Sequence, residues 1–126
     1  MKLVLDTSII IDYLRGGNSW EVLLSQIDKD TSFHIPTIVI YELFSGQSTK
    51  NPDVASKVNI FLKYFERVEL TEKIAQHAGQ LYREFGKQTG PADFIIAASA
   101  IDLGAKVITL NKKHFEQITG LSLYTI

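Results

Sequence analysis

Apolar positions along this chain alternate between a short-run pattern and a helical one. Leu3-Val4-Leu5 is an unbroken apolar triplet suited to a strand buried on both faces, and it runs straight into Asp6. Thr7 to Leu14 then reads as a helix ended by Gly16-Gly17. Asn18 or Ser19 caps a second helix to about Asp28, with Trp20, Leu23, Leu24 and Ile27 on one face. Phe33-His34-Ile35 predicts a strand, and Pro36 fits at or near the first turn of a helix that carries Glu42 and stops near Gly46. A polar loop from Ser48 to Asp53 leads to a helix opened by Pro52 and running to about Tyr64.

The second half repeats the alternation. Val68-Glu69-Leu70 is a candidate strand. From Thr71, apolar Ile74, Ala75, Ala78, Leu81, Tyr82 and Phe85 recur at steps of one, three or four, which is helical spacing. Gly90-Pro91 breaks that pattern, Ala92 to Leu103 forms a small-residue helix ended by Gly104, and Lys106 to Leu110 is the clearest late strand. Strands alternating with helices predict a single α/β domain over residues 1–126, a central parallel sheet flanked by helices on both faces. Repeats, linkers and low-complexity segments are absent from the sequence.

That pattern gives three carboxylates an unusual setting. Asp6, Glu42 and Asp93 each stand in an otherwise apolar stretch. Ligands in open α/β sheets bind beyond the carboxyl ends of the strands, where Asp6 must emerge. Asp93 lies in the first turn of its helix and shares a face with Ile96, Ala97 and Ala100, so it is aimed at the sheet; Asp102, half a turn round, faces solvent and is excluded. Each acid alone has a structural explanation: Asp6 as a helix cap, Asp93 as a partner of the helix dipole, Glu42 in a buried salt bridge with an arginine or lysine. Three together predict an acidic pocket. Carboxylates within ~4 Å repel by about 4 kcal/mol per pair at an effective dielectric near 20, and a divalent cation is the usual compensation for hard oxygen ligands.

Composition narrows the choice without deciding it. With 126 residues, 45% hydrophobic and 21% charged, the chain is an ordinary globular domain able to bury a core. The absence of cysteine excludes disulfides and thiolate metal sites and fits a reducing, cytoplasmic setting. An acid as early as Asp6 does not suit a signal peptide, and no apolar run approaches the ~20 residues of a membrane helix. A net charge of −1 argues against gripping nucleic acid by bulk attraction, although Arg15, Lys87, Lys112 and Lys113 are candidates for a basic rim around the pocket. His34, His77 and His114 share no ligand spacing, so they predict no zinc site, and His114 reads as a structural histidine. Trp20, Phe33, Tyr64, Phe65 and Phe85 read as core. Val58, Ile60, Phe61, Leu62 and Tyr64 make one helix apolar enough either for core packing or for a partner.

The motifs in order carry a resemblance. Leu5-Asp6-Thr7-Ser8, Tyr41-Glu42-Leu43 followed by Gly46, Ala92-Asp93-Phe94-Ile95-Ile96-Ala97-Ala98, and Ile108-Thr109-Leu110-Asn111 with His114-Phe115 together resemble the PIN domain, and are most similar to its VapC toxin branch. The likeness spans essentially the whole chain. It implies an Mg²⁺- or Mn²⁺-dependent endoribonuclease of a toxin–antitoxin system, leaving 5′-phosphate and 3′-hydroxyl ends, dimeric and neutralised by a cognate VapB-like antitoxin. It assigns catalysis and metal binding to Asp6, Glu42 and Asp93. Ser8 and Thr109 become candidate hydrogen-bond supports, and Arg15, Lys112 and Lys113 candidate RNA contacts. PIN domains often carry a fourth acid at or near Asn111; here an amide can ligate a cation but adds no charge. Glu116, from the following helix, and Asp12, from the first, are weaker candidates to fill that place.

Other readings fail or remain open. A haloacid-dehalogenase-like phosphatase needs an aspartate where Ser8 stands, a receiver domain needs an acidic pair near the first strand, and a Rossmann nucleotide binder needs a glycine-rich turn after it. A PIN nuclease acting in RNA processing outside any toxin module, and a PIN-like module that binds without cutting, are both compatible with these residues.

Overall fold

A computed structural model describes residues 1–86 and 89–126; Lys87, the fourth of the rim cations expected from the sequence, lies outside the described residues. In chain order the elements are β1 (Lys2–Leu5), α1 (Thr7–Leu14), α2 (Ser19–Gln26), β2 (Ser32–Pro36), α3 (Thr37–Ser45), α4 (Pro52–Leu62), β3 (Glu66–Val68), α5 (Glu72–Phe85), α6 (Pro91–Leu103), β4 (Lys106–Ile108) and β5 (Leu123–Tyr124). Short 3-10 turns occupy Gln47–Lys50 and Lys112–His114. The five strands form one parallel sheet in the order β3-β2-β1-β4-β5. Leu3, Val4 and Leu5 are completely buried, which requires cover on both faces of the sheet. No helix among the described residues is long and apolar enough to cross a membrane.

Strand order fixes where a ligand can enter. The connections through α1–α2 and α3–α4 build β2 and β3 on one side of β1, and the chain then returns through α5–α6 to place β4 on the other. The carboxyl ends of β1 and β4 therefore flank a topological switch point, the usual site of a crevice in such sheets. Asp6 leaves β1 at that point, and its backbone N–H still bonds to the Ile108 carbonyl of β4 at 3.1 Å.

Packing follows the apolar stripes. α6 lies on β1, β2 and β4 and against α3 and α5, with Phe94, Ile96, Ala97, Ala98 and Ala100 buried. Gly104 ends it in a left-handed turn (φ +70°) that an L side chain resists. Around α2 and α4, Trp20, Phe33, Phe61 and Phe65 form edge-on pairs with centroids 5.0–6.2 Å apart, and Tyr13 stacks on Phe61 at 3.9 Å. Such pairs contribute about 0.5–1.5 kcal/mol each beyond the area they bury.

Several expectations need correction. The third strand lies at Glu66–Val68 rather than 68–70: the Arg67 guanidinium donates to the carbonyls of Leu62 and Phe65 at 2.8 and 3.0 Å, so pairing with β2 begins earlier. Leu70 is left exposed, and Thr71 caps α5 by accepting from the Ile74 N–H. The late strand stops at Ile108, because Thr109 turns to serve side chains. β5, only two residues long, gives no periodic signal and was not anticipated. Tyr64 is 73% exposed, not core. The apolar run on α4 divides: Val58, Phe61 and Leu62 are buried, while Ile60 faces out with Tyr64.

Candidate active site

Asp6 occupies the residue before α1, in extended backbone geometry, yet its side chain makes no capping bond. Two hydroxyls claim it instead. Ser8 Oγ donates to Asp6 Oδ2 at 2.8 Å, and Thr109 Oγ1 donates to the same oxygen at 2.7 Å. Each hydroxyl is itself fixed by a backbone donor: the Leu110 N–H reaches Ser8 Oγ at 3.0 Å, and the Asn111 N–H reaches Thr109 Oγ1 at 2.9 Å. Two relays thus run from the turn after β4 to one oxygen of Asp6. Among the described residues no hydrogen bond reaches the other oxygen.

Glu42 arrives from α3, where Val39 and Leu43 pack inward. Its partner is Thr7, whose hydroxyl donates to Oε1 at 2.6 Å. This hydroxyl stands in place of the expected salt bridge; no ion pair reaches Glu42 among the described residues. Burial raises its pKa; the Thr7 bond opposes that, and the negative charge of Asp6 adds to it.

Asp93 sits in the first turn of α6, with its side chain 16% exposed. His114 Nδ1 stands 3.1 Å from Oδ2. Burial and the Asp6 charge push its carboxyl up to about 6, the His114 contact holds it down, and Glu42 raises it further. Asp6, Glu42 and Asp93 thus feel one another across a shared space. That space is a cavity of about 560 Å³ whose wall also includes Thr7, Ser8, Arg15, Asn111 and His114.

The expected site residues therefore divide. Asp6, Glu42, Asp93, Ser8, Asn111 and Arg15 meet at the cavity, and Thr109 lies buried behind it. Lys112 and Lys113 face an adjoining groove of about 390 Å³ together with Glu116. Asp12 borders the cavity, but its Oδ2 accepts from both the N–H (3.1 Å) and the hydroxyl of Ser19. Those bonds lower its pKa and bind it to the start of α2. Asp102 pairs with Lys73 at 2.9 Å, away from the site. Two contacts go beyond what the sequence offers: Thr7 on Glu42, and His114, a half-exposed histidine, on Asp93. The run of hydroxyls after Asp6 is a signal for the first; the His114-Phe115 pair after Asn111 marks the second as part of the motif without saying what it touches.

All the acidic donors are hard oxygens, suited to Mg²⁺ or Mn²⁺ and unsuited to soft metals. Among the described residues no three His, Asp or Glu side chains stand close enough to grip one ion as placed. The carboxylates share a cavity rather than a single point.

A PIN domain signature matches residues 3–121. The chain belongs to the PIN domain family. Its likeness to the VapC group extends along the full length. Ribonuclease VapC19 of Mycobacterium tuberculosis is 32% identical over 125 residues, which cover 96% of this chain and 97% of that protein. Among solved structures, the VapBC2 complex of Rickettsia felis bound to a promoter DNA fragment superposes with a TM-score of 0.85 at 30% identity, covering 98% of each chain. DNA-bound VapBC from Salmonella typhimurium gives a TM-score of 0.83 at 26% identity, over 98% of this PIN domain and 97% of that chain.

Proposed function

We propose that this PIN domain is a VapC-type endoribonuclease of a toxin–antitoxin module, with Asp6, Glu42 and Asp93 as its catalytic, metal-holding carboxylates. The observation that carries this reading is the convergence of residues 6, 42 and 93 on one cavity, two of them with raised carboxyl pKa values. Full-length likeness to proteins named ribonuclease VapC supports the reaction, and likeness to VapBC complexes supports a VapB-like antitoxin as partner.

The donor set fits Mg²⁺ or Mn²⁺, whose charge would offset the burial and the mutual repulsion behind those shifts. Held by Asp6, Glu42 and Asp93, such an ion would supply Lewis acidity toward an attacking water and the departing oxygen. Ser8 and Thr109 fix one oxygen of Asp6 and leave the other for the ion. Thr7 does the same for Glu42. Asn111 contributes a neutral amide to the wall, so the negative charge open to the ion comes from Asp6, Glu42 and Asp93, with Asp12 at the border held by Ser19. Arg15 beside the cavity, with Lys112 and Lys113 in the adjoining groove, supplies positive charge where an RNA backbone would run. Exposed Ile60 on α4 and Tyr64 in the turn after it, with Tyr41 on α3, leave apolar surface for a second copy or an antitoxin.

End-labelled RNA incubated with purified, antitoxin-free protein in Mg²⁺, Mn²⁺ or EDTA tests the assignment. Cutting that requires the ion and vanishes in Asp93→Asn is the expected result. Cutting that persists in Asp93→Asn defeats the site assignment, and a folded protein inert on every RNA favours binding without cleavage. Light scattering at micromolar concentration should report a dimer.

A further inference from the structure

The turn after β4 touches two carboxylates that are far apart in sequence. Thr109, at its start, holds Asp6 Oδ2 at 2.7 Å, and His114, at its end, meets Asp93 Oδ2 at 3.1 Å. The turn itself is anchored. His114 N–H bonds to the Asn111 carbonyl at 3.0 Å, Asn111 N–H bonds to Thr109 Oγ1, and Phe115 and Ile118 are 1% and 2% exposed beneath it. His114 is thus an exposed ring on a fixed base, its side chain 47% accessible and one nitrogen committed to a mostly buried carboxylate.

We propose that His114 is a positioning residue for Asp93: by donating to Oδ2 it sets the carboxylate rotamer and keeps the other oxygen available for the divalent ion. The inference rests on the metal-holding role given above to Asp93. Groups that hydrogen-bond metal-ligating side chains restrict their orientation, and their loss typically costs roughly 10- to 100-fold in metal affinity. Asp6 has two such hydroxyl partners and Glu42 has one; among the described residues, His114 is the only side chain that serves Asp93. Because the ring is half in solvent, truncating it opens no core cavity.

The test is Mn²⁺ binding by calorimetry and by electron paramagnetic resonance in wild type, Asp93→Asn, His114→Ala and His114→Asn, with near-ultraviolet circular dichroism as the check on fold. The amide nitrogen of an asparagine at 114 falls where Nδ1 of the ring stands, so this variant retains a donor. The inference expects His114→Ala to weaken Mn²⁺ binding roughly 10- to 100-fold with the fold intact, and His114→Asn to recover most of the loss. Unchanged or tighter binding by His114→Ala overturns it, as does an asparagine variant no better than alanine. Wild-type affinity in Asp93→Asn removes the metal-site reading itself, and the His114 inference with it.

Discussion

Replacing Asp93 with asparagine should stabilise the metal-free protein by an amount that grows as the pH rises from 4 to 6 and levels off above. The carboxyl is held at about 6 against an ordinary 3.8, first by burial and then by the Asp6 charge. Folding therefore favours the protonated form. The stability this confers is complete below pH 4 and is lost as the pH rises through 6. A shift of about two units, at 1.36 kcal/mol each, makes ionised Asp93 cost about 3 kcal/mol above pH 7. Asparagine avoids that cost but forfeits a negative charge in the first turn of α6, which contributes about 0.3–1 kcal/mol. The net gain is about 2 kcal/mol at pH 8, and close to nothing at pH 3. Urea unfolding of both proteins in EDTA at the two pH values measures it, as a midpoint shift without a change in slope. The burial-lowered pKa of His34 also bends the pH profile but cancels in the difference, whereas Glu42, whose charge acts on Asp93, cancels only in part. Saturating Mg²⁺ should stabilise wild type and reverse the order, because it binds the folded carboxylate form. A variant less stable than wild type at pH 8 without metal, or an equal difference at both pH values, would refute the reasoning that like charges are crowded in this cavity.

Two further perturbations probe the supports of the site. Thr7→Val removes the 2.6 Å hydrogen bond to half-buried Glu42 and should lower stability by about 1 kcal/mol while reducing RNA cleavage; Thr7→Ser should retain both, so an inert Thr7→Val sinks the idea that this hydroxyl orients Glu42. Gly17→Ala would drive a Cβ into the Asp12 carboxylate that holds Ser19, costing about 1–3 kcal/mol in thermal unfolding; in an Asp12→Ala background the cost should largely vanish, and equal costs in both backgrounds would disprove the contact.

Much of the architecture is written in local pattern. The apolar triplet Leu3–Leu5, the helical spacing of Ile74, Ala78 and Leu81, and the Gly90-Pro91 break each report on neighbours within one or two turns, and burial bears them out. The same arithmetic aimed Asp93 inward and Asp102 outward. Once alternating strands and helices implied a parallel sheet, the exit of Asp6 into the crevice followed from chain direction alone. What lay outside the sequence were pairings made between distant residues. That Ser8 and Thr109 share one oxygen of Asp6, that Thr7 rather than a cation answers Glu42, and that Asp12 is committed to Ser19 all depend on where loops land after packing. His114 makes the contrast clearest. Its neighbours mark it as one more turn histidine, and only the return of the chain through β4, which sets the turn 109–114 against the start of α6, brings its ring to Asp93. Periodicity reports which face of an element is buried; it holds no information about which side chain stands opposite, because that contact is decided by the crossing of segments about a hundred residues apart for Asp6 and twenty for Asp93.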